Sequence, residues 1–267
     1  MSTDGALAAV VEDLVVAHRT ATALPPLSRS RPGLDLVDAY RIQQQLVARW
    51  VADGDAVRGH KIGLASEAMQ QQMGVDEPDF GHLTQRMFRT GILSRRQLVA
   101  PRVEPELAVV LGEPLRGPGV TVAEATAAVA EVAAALEVVD SRIADWDVTI
   151  VDTVADNASS GAVFLGPSVP LHGLGPRGRD LTTISVRLEV SSDGRTVVEH
   201  GTAAAVLGSP MRALAWLANT LGRLGVTLEP GHCVLTGSFT RSVALQAGDR
   251  VVATFSDVAG VAFDVTA

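Results

Sequence analysis

The N-terminal part of the chain carries hydrophobic residues at helical spacing. They recur every three or four positions through residues 5–21: Leu7, Val10, Val11, Leu14 and Val15. This period predicts an amphipathic helix, which Pro25 and Pro26 prevent from continuing. A second helix is predicted over residues 35–53, with Asp35 as its N-cap. Its apolar stripe consists of Tyr40, Ile42, Leu46 and Trp50.

Beyond a turn at residues 53–55, the pattern changes to short β-forming runs separated by glycine and proline. We expect strands at residues 57–63, 103–111, 163–165, 184–190, 196–200, 233–236, 250–256 and 261–265. Helices are predicted at residues 66–73, 122–136 and 210–224, and a loop at residues 78–81. The fold class is therefore α+β, with an N-terminal helical region over residues 1–55 and a β-rich domain over residues 56–267.

Composition narrows the range of partners and compartments. The 267 residues are 47% hydrophobic and carry a formal net charge of −8 without a block of Lys or Arg, so we expect neither nucleic acid nor an anionic membrane as partner. No run approaches the roughly 20 apolar residues of a membrane span, and the N-terminus lacks a leader pattern. Cys233 is the only cysteine, which excludes an internal disulfide. A cytoplasmic protein is the expectation.

The strongest chemical signal is a pair of glutamates in an apolar run. Glu104 and Glu106 are two residues apart, so in a strand their carboxylates point to the same face. Burying two anions together is too unfavourable unless a cation joins them, and hard divalent cations prefer oxygen ligands. Glu137, also flanked by apolar residues, could supply a third oxygen. The alternative is that Glu104 and Glu106 are solvated on the outer face of an edge strand.

Two further side chains are candidates for proton transfer. Lys61 is the only lysine of the chain and lies in an apolar, glycine-flanked run. It could be a buried acid or base with a lowered pKa, a partner for a carboxylate, or a surface lysine. Asp79 could act as a general base or simply form a turn.

Two polar runs could hold a substrate carboxylate. In the first, Ser159 and Ser160 offer hydroxyls, although composition alone favours an ordinary turn entering a strand. In the second, Thr240 precedes Arg241, which is either a carboxylate clamp or a solvated loop arginine. The six histidines show no zinc-type spacing, and the chain has no Walker loop, dinucleotide fingerprint or nucleophile elbow.

Several longer motifs resemble a known family. In chain order they are Gly59-His60-Lys61-Ile62-Gly63-Leu64, Gln70-Gln71-Gln72-Met73-Gly74-Val75, Pro78-Asp79-Phe80-Gly81, Pro101-Arg102-Val103-Glu104-Pro105-Glu106, Leu136-Glu137-Val138-Val139-Asp140-Ser141-Arg142-Ile143, Val151-Asp152-Thr153-Val154-Ala155-Asp156-Asn157-Ala158-Ser159-Ser160 and Leu235-Thr236-Gly237-Ser238. With these motifs the chain resembles the 2-keto-4-pentenoate hydratase / 4-oxalocrotonate decarboxylase family of the fumarylacetoacetate hydrolase superfamily.

The resemblance implies a mixed β-roll with a small N-terminal helical region, in which the β-rich part is catalytic. It implies that Glu104, Glu106 and Glu137 bind Mg²⁺ or Mn²⁺, and that Lys61 and Asp79 lie beside the substrate. It also implies a cyclic homo-oligomer, with possible association with a downstream aldolase or a sister decarboxylase of aromatic catabolism.

The implied reaction is addition of water to a 2-hydroxy-2,4-dienoate, the enol of a 2-keto acid, giving a 4-hydroxy-2-keto acid. Decarboxylation of 2-oxo-3-hexenedioate is the near alternative, and Asp79 favours hydration because water addition needs a base. Arg241 leaves open a longer dicarboxylate dienoate. More distant alternatives are a C–C hydrolase, for which an obvious histidine base is missing, and an inactive partner subunit, which the complete set of proposed ligands disfavours.

Overall fold

The computed structural model of the protein describes residues 3–174 and 180–267. Its helices are α1 (Thr3–Thr20), α2 (Leu27–Ser30), α3 (Leu36–Ala52), α4 (Glu67–Met73), α5 (Val122–Ala128), α6 (Ile150–Ala155) and α7 (Pro210–Arg223). Its strands are β1 (Val57–Gly63), β2 (Asp79–Thr84), β3 (Phe88–Arg89), β4 (Ile92–Ser94), β5 (Arg102–Leu111), β6 (Val129–Val139), β7 (Ser160–Leu165), β8 (Val169–Pro170), β9 (Ser185–Ser192), β10 (Arg195–Thr202), β11 (Cys233–Ser238), β12 (Val243–Ala244), β13 (Arg250–Phe255) and β14 (Val261–Thr266). Helix and strand are mixed, which confirms the α+β class.

The N-terminal helices form as the hydrophobic pattern predicts. Asp35 caps α3, its carboxylate accepting a hydrogen bond from the backbone N–H of Asp38 at 2.9 Å. The apolar stripes of α1 and α3 are buried together, and Leu14 and Ile42 have no exposed surface. They share one cluster with Val154 of α6, so the helical region packs directly on the β-rich part of the chain.

Two sheets make up the rest of the fold. The larger has the strand order β2-β1-β11-β5-β6-β7-β3, with β12 beside β5 and β8 beside β6. The smaller has the order β10-β9-β13-β14-β4, and β9 and β10 form a hairpin whose turn is Asp193-Gly194. Helix α7 contributes Leu214, Leu217 and Leu221 to the core between these layers.

The larger sheet curls until its two ends meet. A Cβ atom on Gly81 of β2 would lie only 2.6 Å from the carbonyl oxygen of Asn157, just before β7. The side-chain amide of Asn157 in turn bonds both the N–H and the carbonyl of His82, at 2.8 Å each. The face to which Gly81 belongs is therefore concave, and we call it the inner face. Small or aliphatic side chains fill it, among them Leu83, Ala108, Ala133, Ala135 and Leu235.

The helix predicted at residues 122–136 is wrong in its second half. Helix α5 ends at Ala128, and residues 129–139 form β6, a central strand between β5 and β7. Alanine favours helices, so this run has a helical composition. The sheet overrides that preference because β6 pairs with a strand on each side and both of its faces are buried: Ala133 and Ala135 pack on the inner face, and Val132 and Val138 pack on the other side.

The loop predicted at residues 78–81 is also wrong, because β2 begins at Asp79 and pairs with β1 from Gly63 onward. Helix α6 was not predicted. Its first turn is held by Asp152, whose carboxylate accepts hydrogen bonds from the N–H and the hydroxyl of Thr149. No helix among the described residues combines the length and apolar character needed to cross a bilayer.

The outer face of β1 and β2 holds a cluster of histidines. The ring of His60 lies 5.0 Å from that of His82 and 5.5 Å from that of His232, measured between ring centroids. Neither nitrogen of His60 has a hydrogen-bond partner among the residues described. Burial and the two neighbouring imidazoles hold the pKa of His60 well below its ordinary value, and burial lowers the pKa of His82 to about 4.

Acidification should therefore destabilise the fold. Between pH 6.5 and about 4, His82 takes up a proton in the unfolded chain but not in the folded one. The free energy of unfolding therefore decreases as the pH is lowered through this range, by up to roughly 3 kcal/mol. Denaturant unfolding across this range should show a smaller pH slope in His82→Gln than in wild type. His200→Asn, at an exposed site, is the control. Equal slopes in wild type and His82→Gln would contradict the assignment.

Candidate metal centre and active site

Three glutamates converge on the inner face of the larger sheet. Glu104 and Glu106 lie two residues apart on β5, and the antiparallel register puts Glu137 of β6 directly opposite Glu104. One carboxylate oxygen from each lies within 4.8 Å of the others. The alternative of a solvated edge strand does not fit, because β5 lies between β11 and β6.

The three carboxylates have few partners to offset their burial. Glu106 is 1% exposed, and one of its oxygens accepts a hydrogen bond from the backbone N–H of Gly237 at 2.7 Å. Glu137 is fully buried, and within the described part of the chain neither of its oxygens has a hydrogen-bond partner. Glu104 is partly exposed and so leaves the cluster open on one side.

Burial raises the pKa of all three carboxyl groups, and repulsion from Glu137 adds to the rise for Glu104 and Glu106. The pKa of Glu104 rises to about 7, first through burial and then through the nearby charge of Glu137. Burial followed by Glu137 raises the pKa of Glu106 well above its usual value, and burial raises that of Glu137. A divalent cation removes this repulsion, and an all-carboxylate set with unsatisfied oxygens suits a hard ion. The residues present therefore fit a Mg²⁺-like site.

Lys61 lies on the same face and is only 4% exposed. Its ammonium nitrogen is 3.4 Å from Oε1 of Glu137. Burial alone would lower the pKa of Lys61, but the carboxylates of Glu137 and Asp79 outweigh it and raise the pKa. The sequence left open a buried acid or base, a partner for a carboxylate, or a surface lysine. In the structure Lys61 is a buried, charged lysine that pairs with a carboxylate.

Asp79 occupies a space that only glycine leaves free. It pairs with Gly63 across β1 and β2, and a Cβ atom on Gly63 would overlap Asp79 Oδ1 and lie 3.4 Å from Lys61 Nζ. Asp79 is 2% exposed, and neither carboxylate oxygen has a hydrogen-bond partner in the described structure. Burial raises its pKa, against the opposing charge of Lys61.

Ser159 and Ser160 lie where the sheet closes. The hydroxyl of Ser160 donates to the carbonyl of Asn157 at 2.9 Å and sits against Gly81. The hydroxyl of Ser159 is buried without a hydrogen-bond partner among the described residues. Ser159 thus has a free hydrogen-bonding group, whereas that of Ser160 is engaged.

The second polar run reaches the site through its backbone. The N–H of Phe239 donates to the carbonyl of Pro105, between the two β5 glutamates, at 3.0 Å. The hydroxyl of Thr240 donates to the carbonyl of Arg241, and the Arg241 side chain is 86% exposed and 3.1 Å from Glu199. The structure therefore places the Arg241 guanidinium on the surface rather than among the buried glutamates.

Gly63 and Gly237 contribute to the site without having been singled out as site residues from the sequence. Gly63 makes room for Asp79, and Gly237 supplies the N–H that binds Glu106. Gly237 has a φ of +116°, and a Cβ atom there would lie 2.5 Å from that of Ala65. Besides lying in two of the family motifs, each is a glycine inside a strand-like run.

Comparison with known proteins assigns the chain to a family. Residues 49–266 match the family described as Fumarylacetoacetate (FAA) hydrolase C-terminal, and the chain belongs to that family. It is 40% identical to a 2-keto-4-pentenoate hydratase of Burkholderia vietnamiensis (strain G4 / LMG 22486) over 255 residues, covering 95% of each protein. It is also 40% identical to a 2-hydroxyhexa-2,4-dienoate hydratase of Comamonas testosteroni over 241 residues, or 89% of each.

A solved structure extends the comparison to three dimensions. The 4-oxalocrotonate decarboxylase from Pseudomonas putida G7, complexed with magnesium and adipate, matches with a TM-score of 0.92. The match covers 99% of each chain at 31% identity. The resemblance drawn from the sequence motifs and the expected β-roll fold are both confirmed.

Replacing Glu106 by Gln should weaken divalent-cation binding by at least roughly tenfold without unfolding the protein. The substitution removes one anionic ligand and relieves repulsion from Glu104 and Glu137, so the metal-free protein should melt at the same temperature or higher. Titration with Mn²⁺, followed by electron paramagnetic resonance or calorimetry, measures the affinity. Glu113→Gln, at an exposed position just after β5, is the control. Wild-type Mn²⁺ affinity in Glu106→Gln would exclude this metal centre.

Replacing Gly63 by Ala should displace Asp79, because the added methyl group overlaps its carboxylate. We expect activity to fall by on the order of a hundredfold with Mn²⁺ affinity nearly unchanged, since the atoms nearest to the added methyl group belong to Asp79 and Lys61 and not to the glutamates. Gly173→Ala is the control, because Gly173, like Gly63, has no positive φ and an added methyl group there would make only ordinary contacts with Pro170, at 3.8 Å. Equal effects of the two substitutions on activity would contradict the role given to Gly63.

Proposed function

We propose that this protein is a metal-dependent hydratase, a hydro-lyase, that adds water to a 2-hydroxy-2,4-dienoate to give a 4-hydroxy-2-keto acid. The observation that carries the proposal is the buried Asp79 carboxylate, which has free oxygens and lies near the Lys61 ammonium on the face that bears the three glutamates. The hydratase relatives at about 40% identity support it.

The proposed roles follow from charge and position. Glu104, Glu106 and Glu137 would hold Mg²⁺ or Mn²⁺, and the relative from Pseudomonas putida G7 is complexed with magnesium. When bound, such an ion supplies Lewis-acid stabilisation of negative charge on the oxygens of a 2-keto acid. Lys61, kept charged by its carboxylate neighbours, would bind the substrate carboxylate and donate a proton. Asp79, when ionised, would accept the proton of the attacking water.

The remaining substrate contacts would come from the two polar runs. Ser159 has a free buried hydroxyl and is the better candidate of the two serines. Thr240 and Arg241 would meet the far end of a longer dicarboxylate dienoate, provided that Arg241 leaves Glu199.

Decarboxylation of 2-oxo-3-hexenedioate is the second candidate. The 0.92 TM-score to the 4-oxalocrotonate decarboxylase favours it. Asp79 argues for hydration instead, because loss of CO₂ does not require a base that activates water.

We further infer a homo-oligomer in the cytoplasm, acting in aromatic catabolism, with possible association with a downstream aldolase or a sister decarboxylase. The support is the family resemblance and a single cysteine, Cys233, which is buried as a free thiol.

Asp79→Asn separates the two steps of the proposed reaction. Loss of the general base should reduce water addition by on the order of 10²–10⁴-fold. Proton transfer between enol and keto forms depends more on Lys61 and should persist, so deuterium from D₂O should still enter the keto acid while the 4-hydroxy product fails to appear. Asp76→Asn, in the exposed segment just before β2, is the control.

Two outcomes would count against the hydratase proposal. Equal loss of exchange and hydration in Asp79→Asn would make Asp79 structural. Release of CO₂ from 2-oxo-3-hexenedioate by wild type, far faster than hydration of any dienoate, would favour the decarboxylase.

A further inference from the structure

The segment between α6 and β7 has an unusual backbone. Three consecutive residues, Asn157, Ala158 and Ser159, have φ values of +53°, +52° and +54°. Residues other than glycine rarely adopt this left-handed backbone conformation, and several such residues in a row are rarer still. Such a conformation persists only where surrounding contacts hold it in place.

This left-handed segment forms part of the wall of the active site. It fills the space beside Gly81, where a Cβ atom would lie 2.6 Å from the Asn157 carbonyl and 2.9 Å from the Ser160 hydroxyl. Gly81 pairs with Lys61 and lies two residues after Asp79 on the same strand. A shift of the segment would therefore move the inner face next to both side chains.

The side chain of Arg142 forms hydrogen bonds on both sides of the left-handed segment. One terminal nitrogen of Arg142 donates to the carbonyls of Asp156 and Ser160, at 3.2 and 3.1 Å. These two carbonyls flank the left-handed residues. The Nε and backbone N–H of Arg142 bind the two carboxylate oxygens of Asp156 at 2.8 and 2.9 Å. Arg142 is 2% exposed, so water does not compete for these hydrogen bonds.

Asp140 joins the same network to the metal-binding strand. It follows Glu137 by three residues, just past the end of β6, and its carboxylate accepts hydrogen bonds from the N–H groups of Val99 and Ala100. Its own N–H donates to the carbonyl of Ser159 at 2.8 Å. The left-handed segment is thus tied at its third residue to the strand that carries Glu137.

The network ends in the N-terminal helical region. Nε2 of His18, on α1, lies 3.0 Å from Asp156 Oδ1. A carboxylate only accepts hydrogen bonds, so Nε2 carries the proton and donates it. The His18 ring also packs edge-on against Trp50, at 4.9 Å between centroids. His18 lies outside the family match, which begins at residue 49.

We propose that Arg142 is a positioning residue that holds the left-handed segment 157–159 against the active site, and that His18 supports it from α1. The N-terminal helices then serve catalysis through Asp156 as well as covering the core. This inference rests on the proposed function only for its kinetic readout, because the position of the segment can be measured directly.

Four variants test the proposal. Arg142→Lys keeps the charge but cannot form the forked contacts. His18→Leu removes the donor, whereas His18→Gln places an amide N–H near the position of Nε2 and should restore it. Glu12→Gln is the control, because it breaks an exposed ion pair between α1 and Arg49 of α3 and leaves the network intact.

Each variant is measured by melting temperature, by hydrogen–deuterium exchange of a peptide covering residues 156–161, and by kcat and KM. We expect exchange in this peptide to rise about tenfold or more in Arg142→Lys and His18→Leu, and kcat/KM to fall on the order of ten- to a hundredfold. His18→Gln and Glu12→Gln should stay near wild type in both measurements.

Unchanged exchange in a folded His18→Leu protein would overturn the part given to α1, and unchanged exchange in Arg142→Lys would overturn the whole proposal. Should Arg142→Lys fail to fold, the His18 pair decides the whole proposal, and unchanged exchange in His18→Leu then overturns it. A wild-type protein that hydrates no dienoate would refute the proposed function while leaving the exchange result as a valid test of the network.

Discussion

Repulsion among Glu104, Glu106 and Glu137 is the constraint on which the site depends. Three carboxylates within 4.8 Å of one another, two of them fully buried, are unfavourable in an unliganded fold. The surroundings reduce the repulsion only in part, through one backbone N–H from Gly237 and the ammonium of Lys61. The rigid pairing of β5 with β6 keeps the carboxylates together despite it. By offsetting this repulsion, the proposed cation would stabilise the fold as well as serve as a cofactor.

Glycine and alanine decide where the larger groups can go. Gly63 admits Asp79, Gly81 admits the left-handed segment, and alanines on β5 and β6 keep the inner face narrow. The charged side chains therefore occupy space that is free because the neighbouring residues have small side chains or none. Function in this fold depends on small residues as much as on the groups that carry charge.

The sequence predicted individual helices and strands better than it predicted which strands pair and in which register. The face shared by Glu104 and Glu106 follows from strand periodicity alone, and the structure has it so. The position of Glu137 opposite Glu104 could not be predicted, because the alanine-rich run before it has a helical composition and its strand character comes from the curled sheet. Asp79 was expected in a loop for a similar reason. Its strand exists through pairing with β1, which short-range signals do not encode. Only the resemblance to the family motifs, and not periodicity, indicated that Glu137 and Asp79 belong to the same site as Glu104 and Glu106.

The register that joins Lys61 to Leu235 has a consequence for how the protein would acquire the proposed cation. Strands β1 and β11 are neighbours in the sheet but lie near opposite ends of the chain, so their pairing belongs to the slow, non-local part of folding. Gly237, which binds Glu106, arrives with β11. A chain emerging from the ribosome holds all three glutamates long before it holds the strand that completes their surroundings. Binding of the proposed cation would thereby be coupled to completion of the roll, and the bound ion would stabilise the finished fold over its incomplete precursors.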